Sequence, residues 1–225
     1  MYNKNTILYE WRYIALNNIS EVNRNAYNQL APEFNSRESD LGKYKEKLSK
    51  YISQFVKGNE NVLEIGSGTG HLLQILECKG CRTTAVELSE KMCEFSRVNS
   101  PRTIIINQDV LTVYFFEKQF DVICALAVIH AISSKDAKTL MEKIGSWLKD
   151  DGIFIFDTVM YDESKEVFIK SGEQKNVTKF RKQYTQMELE ELIYSSGFKI
   201  EDISLNQEEG SSKVWMRYAC RKNKE

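Results

Sequence analysis

The chain has 225 residues, and its 31 lysines and arginines nearly balance 32 aspartates and glutamates, for a formal net charge of −1. That balance removes the broad positive field that draws nucleic acids or anionic membranes to a protein, while 42% apolar residues supply the core of one domain of this length. Two histidines argue against a multi-histidine metal site, and five cysteines, an odd number, fit reduced thiols better than a disulfide framework.

The N-terminal stretch has no apolar signal segment, and nowhere do about 18 uncharged residues run together, so a cytoplasmic chain without a membrane span is expected. The C-x-x-C spacing of Cys78 and Cys81 lacks the second pair of a zinc ribbon and the setting of a thioredoxin motif. Residues 1–57 read as a helical cap. One helix is placed around Ile14–Tyr27, and a second carries Leu41, Tyr44, Leu48, Tyr51, Ile52 and Phe55 at helical spacing.

After Gly58 short apolar runs alternate with amphipathic segments. Strands are placed at Asn61–Ile65, Arg82–Val86, Thr103–Ile106, Phe120–Ala125 and Ile153–Phe156. Helices are placed at His71–Glu77, at Glu90–Val98 behind an N-cap at Ser89, and from Ser133 to Leu148 behind a near capping box with Asp136. Continuous apolar strands alternating with helices mean a mostly parallel, doubly wound α/β sheet, here a core over residues 58–160. Tyr161–Lys182 is polar and without a clear period, and reads as an insertion over the strand ends. Thr185 and Glu188 form a capping box for a helix to about Tyr194. Two strands follow, Lys199–Leu205 and Val214–Cys220, paired antiparallel across a polar turn at Asn206–Lys213. The whole chain reads as one domain, closing with this lid insertion, helix and hairpin at residues 161–225.

Three of the eleven glycines fall within five residues, in Glu64-Ile65-Gly66-Ser67-Gly68-Thr69-Gly70, between the first strand and its helix. Doubly wound folds bind nucleotides at that turn, where glycine admits positive φ and close approach of a ligand to the backbone. Neither register of a dinucleotide G-x-G-x-x-G fits, since His71 or Leu73 stands at the last position. A phosphate-binding loop would need Lys-Ser/Thr where His71-Leu72 stands. Glu64 beside the turn disfavours pyrophosphate and favours a cation.

With Val62-Leu63 ahead of it, this segment resembles the first motif of the class I S-adenosylmethionine-dependent methyltransferases. The resemblance spans about Val62–Phe156 and implies a Rossmann-like fold with S-adenosylmethionine as cofactor. It places Gly66, Ser67, Gly68 and Gly70 against the methionine moiety, with Glu64 nearby. It gives Glu87 the two ribose hydroxyls, which one carboxylate can accept together. Asp109 would lie near the adenine amino group, Leu88 and Val110 on the ring faces, and Ala125 and Leu126 by the sulfonium. Leu148-Lys149-Asp150-Asp151-Gly152 departs from the family's Leu-x-Pro-Gly-Gly turn.

Methyl transfer is an in-line displacement, so alignment supplies much of the rate. A base is needed only where the acceptor loses a proton. The resemblance puts His130, after the fourth strand, where many small-molecule methyltransferases carry a histidine, and an ordinary imidazole pKa near 6.5 suits that task. A packing role is the alternative, while His71 reads as the first residue of its helix. Asn25–Asn35 resembles the Tyr-x-x-x-Ala-x-x-Tyr segment preceding many such cores, with Tyr27 set to touch cofactor or acceptor and Phe34 replacing the second tyrosine. Lys179, Arg181 and Lys182 are read first as a solvated face and second as partners of an anionic acceptor. The function expected is methyl transfer to oxygen or nitrogen of a small molecule. The alternatives are RNA or protein methylation, or cofactor binding without turnover. The absence of Asp/Asn-Pro-Pro-Tyr after the fourth strand argues against DNA, and oligomeric state is left open.

Overall fold

A computed structural model describes residues 19–36, 42–172, 176–207 and 212–223. Its first helices are α1, Ile19–Ser36, and α2, Gly42–Ile52. The core then alternates β1 Asn61–Ile65, α3 His71–Cys78, β2 Arg82–Glu87, α4 Glu90–Asn99, β3 Ile104–Asn107 and β4 Phe120–Leu126. A 3₁₀ turn at Ile129–Ala131 leads to α5, Ser134–Trp147, and β5, Leu148–Val159. β6 Lys165–Ser171, β7 Val177–Gln183, α6 Gln186–Ser195, β8 Phe198–Gln207 and β9 Val214–Lys222 complete the order.

Seven strands form one sheet in the order β3-β2-β1-β4-β5-β9-β8. β1 pairs parallel with both β2 and β4, so the strand order reverses at β1 and opens a crevice beyond its C-terminal end. β9 runs antiparallel to β5 on one side and β8 on the other, which is the antiparallel C-terminal strand expected.

The unbroken apolar runs of the central strands follow from cover on both faces. Leu63 and Ile65 of β1 join a cluster with Ile123, Ile144, Leu148 and Phe154. Val62, pointing the other way, packs with Leu48, Ile52, Leu72 and Leu76 from α2 and α3. Each such fully buried side chain contributes about 1.5–3 kcal/mol relative to exposure. The caps form where the sequence places them. Ser89 accepts from Met92 N at 3.1 Å, Ser133 from Asp136 N at 3.1 Å and Thr185 from Glu188 N at 3.2 Å.

Two regions depart from expectation. α1 does not stop at Tyr27 but continues through Pro32 to Ser36, held by buried Val22, Ala26 and Leu30 at four-residue spacing. The predicted stretch before Ile19 lies outside the described residues, as do Leu41 and the side chain of Tyr44. Tyr161–Lys182 is not periodless. It forms the antiparallel hairpin β6–β7, with Phe168 paired to Phe180 and their rings edge-on at 5.6 Å. Val177 joins Ala26 and Leu30 of α1 in a small cluster of its own. Among the described residues no helix is long and apolar enough to cross a membrane.

Candidate active site

The turn after β1 is fixed by its backbone. Gly66 N–H donates to Val86 O at 2.7 Å, and Gly66, Gly68 and Gly70 have φ of 66°, 55° and 94°. The three glycines serve different ends. A Cβ on Gly66 would overlap the Val128 side chain, whereas one on Gly68 would meet nothing within 4 Å. Gly70 N-caps α3 and faces Ser96 and Ser100, away from the crevice.

Beyond this turn lies a cavity of about 700 Å³, within the usual size range for small-molecule sites. Its wall takes Gly66, Ser67 and Gly68 from the turn, Glu87 and Leu88 from the end of β2, Asp109 and Val110 after β3, and Leu126 at the end of β4. Glu64, Gly70 and Ala125, expected beside the cofactor, are not part of the wall, and Glu64 and Ala125 are buried beneath it.

Glu87 organises the site. Its Oε2 accepts from Gly68 N–H at 3.0 Å and its Oε1 from Ser89 N–H at 2.8 Å, tying the glycine turn to the start of α4. Burial raises its pKa, opposed by those backbone donors. Each carboxylate oxygen keeps further accepting capacity toward the cavity. Glu64 is only 4% exposed, and its Oε2 has no hydrogen-bond partner among the described residues. Burial first, then the neighbouring Glu87 charge, hold its pKa well above the ordinary carboxylate range. Ser67 Oγ, on the wall, is likewise buried without a partner. Two orphaned polar groups, an open face at Gly68 and an acid at the end of β2 fit a cationic, phosphate-free nucleoside. Asp109 Oδ1 accepts from Leu111 N–H at 2.9 Å, which fixes the loop presenting Asp109 and Val110.

The β4 exit is strained. Ala127 has φ of 57°, a left-handed conformation that is costly for any residue with a Cβ. Its N–H donates to Asp157 Oδ1 at 2.8 Å, and Asp157 is paired with Arg217 at 2.8 Å, both buried. This network sets Val128 against Gly66. Sequence reading missed it, because alanine carries no signal for a left-handed residue and Asp157 and Arg217 lie 60 positions apart.

His130 follows, but outside the cavity wall. Its Nδ1 pairs with Thr158 Oγ1 at 2.9 Å, its ring lies 6.0 Å from that of Trp215, and Nε2 is buried without a partner among the described residues. Burial, then Arg181 and Lys179, hold its pKa well below 6.5, so it is neutral. His71 begins α3, pairs with Thr69 Oγ1 at 3.1 Å and does face the cavity.

The opposite side of the cavity comes from α1 and β7. Asn23 is 2% exposed, donates to Ala131 O at 2.7 Å and accepts from Phe180 N–H at 2.9 Å. It thereby pins α1 to the β4 exit and to β7 at once. Its place in the apolar spacing of α1 was the available signal. Asn28 Oδ1 accepts from Ser89 Oγ at 2.7 Å, docking the same helix on α4. Tyr27 and Phe34 both line the cavity, with rings edge-on at 6.3 Å.

The basic run of β7 is not a solvated face. Lys182 is 3% exposed, pairs with Glu188 at 2.7 Å and bonds Ser164. Lys179 and Arg181, two residues apart on one face of the strand, line the cavity instead. The Lys179 ammonium lies 5.6 Å from the centre of the Tyr27 ring.

Comparison with known proteins gives the family and the fold. A family described as "Methyltransferase domain" matches residues 19–203. Phosphoethanolamine N-methyltransferase of Plasmodium falciparum is 31% identical over 149 residues, 64% of this chain and 54% of that protein. An rRNA adenine N-6-methyltransferase of Lysinibacillus sphaericus is 37% identical over 73 residues, 31% of this chain and 29% of that one. Other curated matches cover as little as 42% and 31% of the relative's length, so the chain spans less than two thirds of these proteins. The fold matches that of a Burkholderia thailandensis 1,6-didemethyltoxoflavin-N1-methyltransferase with bound 1,6-didemethyltoxoflavin and S-adenosylhomocysteine. The TM-score is 0.65 at 20% identity, over 87% of this chain and 88% of that one. With its sheet order, glycine turn and family match taken together, the chain belongs to the methyltransferase-domain family, within the class I S-adenosylmethionine-dependent methyltransferases.

Proposed function

We propose that the chain transfers a methyl group from S-adenosylmethionine to an oxygen or nitrogen of a small molecule held in the cavity between the β-strand ends, α1 and β7. The observation that carries this reading is Glu87. Its carboxylate stands on the cavity wall at the end of β2, held by the Gly68 and Ser89 N–H groups. In this reading Glu87 holds the ribose hydroxyls, and Leu88 and Val110 enclose the adenine, with Asp109 at its amino group. Gly66, Ser67 and Gly68 hold the methionine moiety, and Leu126 lies by the sulfonium. Glu64 acts from behind the turn through its charge, with Gly70 and Ala125 as packing support.

S-adenosylmethionine held by these residues would supply both the methyl group and the sulfur leaving group, which would keep the electron pair of the carbon–sulfur bond as the acceptor's lone pair took the methyl carbon. The protein's task is alignment, which is worth about 7–11 kcal/mol when near-perfect. Tyr27 and Phe34 close the cavity and exclude water. His130 is neutral but buried outside the cavity wall, its Nδ1 paired with Thr158 Oγ1, a position that favours the packing role over that of a base.

The small-molecule acceptor is supported by the enclosure: α1 and the β6–β7 hairpin both contribute to the cavity wall. Five free cysteines support a reducing, cytoplasmic setting. Incubation with trideuteromethyl-labelled cofactor, separately with a small-molecule extract and with total RNA, tests the assignment. Label in a small molecule is the expected result; label in RNA alone would overturn it.

A further inference from the structure

We infer that the acceptor carries an oxyanion, a carboxylate or phosphate, which Arg181 and Lys179 bind on the β7 side of the cavity. The inference rests on the methyltransferase reading and adds the substrate class. Arg181 lines the cavity, yet its Nη1 is buried without a hydrogen-bond partner among the described residues. A buried guanidinium donor left unsatisfied is costly, and an oxyanion presenting a pair of oxygens, as carboxylate and phosphate both do, is the ligand whose geometry matches it. Lys179 is 6% exposed and lines the same wall two residues away. Two cations of a near-neutral chain thus converge where a solvated strand face was expected.

Their neighbours suit the rest of such a ligand. Val128, Ile132 and Trp215 give the cavity an apolar wall beside the pair. The acids that share the cavity are Glu33, Glu87, Asp109 and Asp136. Of these, Glu87 and Asp109 belong to the cofactor side, Asp136 accepts from Ser133 Oγ at 2.7 Å, and Glu33 stands on α1 near Gly172 at the end of the hairpin. The two cations also act on His130, helping to keep it neutral.

The test is calorimetric titration of the chain saturated with S-adenosylhomocysteine, using benzoate, phenyl phosphate and benzyl alcohol as probes. At least one anionic probe is expected to bind about tenfold or more tighter than the alcohol; which one does so separates carboxylate from phosphate. Arg181→Gln is expected to abolish that preference and Arg181→Lys to restore part of it, with S-adenosylhomocysteine affinity and melting temperature unchanged. Equal binding of all three probes to the wild type would overturn the inference. So would a matching loss of S-adenosylhomocysteine affinity in Arg181→Gln, which would put the guanidinium on the cofactor's carboxylate. Failure of the wild type to bind S-adenosylhomocysteine at all removes the cofactor reading instead. The same probes titrated into the free chain then still read the anion preference by itself.

Discussion

The glycines of the turn share a conformation but not a role, and substitution separates them. Gly66→Ala combines a left-handed φ with overlap on Val128, and is expected to destabilise by about 2–4 kcal/mol, from the φ penalty plus overpacking. Gly68→Ala carries the φ penalty alone but places a methyl group toward the open cavity. Its melting temperature is expected to fall less than that of Gly66→Ala, while its cofactor affinity falls more; melting curves and calorimetry on both variants check the ordering. Glu64 gives a pH signature. Its folded pKa stands well above 4.5, so the folded chain keeps a proton that the unfolded chain has lost. That contribution to stability is complete below about pH 4.5 and is lost as pH rises through the folded value. Glu64→Gln is therefore expected to raise the melting temperature of the cofactor-free chain at pH 8 relative to wild type, and to change it little near pH 4. Binding of a cation favours the ionised carboxylate, so cofactor binding should release protons from the wild type, and fewer from Glu64→Gln; calorimetry in buffers of different ionisation enthalpy reads this directly. His130 has the opposite slope: its folded pKa lies below 6.5, so its contribution is present above that value and is lost as pH falls below it.

At the scale of elements, the parts legible in sequence are those where one physical demand dominates. Strands β1, β2, β4 and β5 are buried on both faces, and their apolar runs say so. Glu87 was named through the resemblance, as the acid ending the second strand, and it does stand on the cavity wall. The β6–β7 hairpin was not legible, because its buried positions include Lys179 and Lys182, and buried cations read as solvent-facing until their partners are known. The clamp made by Asn23 was hidden for a related reason. An asparagine on an apolar helix face looks like a fault until both of its hydrogen bonds are seen. Asn23→Ala leaves Ala131 O and Phe180 N–H without their partner. At about 1–3 kcal/mol for each buried unsatisfied group, the variant is expected to melt several degrees lower. It should also release α1 to limited proteolysis before the core; loss of α1 protection no earlier than the core would contradict the clamp.

For the whole molecule, the proposed function gives the sheet the cofactor wall and the added elements the acceptor wall. The first is built from a turn, two strand ends and a loop. The second is built from α1, β7 and β9, where Tyr27, Lys179, Arg181 and Trp215 meet from three distant stretches of chain. Cofactor identity was therefore readable from local motifs, whereas the proposed acceptor chemistry rests on residues that only the folded chain brings together. The near-neutral net charge, uninformative about the site by itself, gains meaning from its distribution, with Glu87 and Asp109 on one wall of the cavity and Lys179 and Arg181 on the β7 wall. Everything proposed for the cavity depends on the cofactor wall, and Glu87 is its centre. Calorimetric titration of the wild-type chain and of Glu87→Ala with S-adenosylmethionine tests this most directly. One-to-one binding with a micromolar Kd in the wild type, weakened by about tenfold to a hundredfold in a folded Glu87→Ala, is the predicted result; absence of binding to the wild type at millimolar cofactor would contradict it.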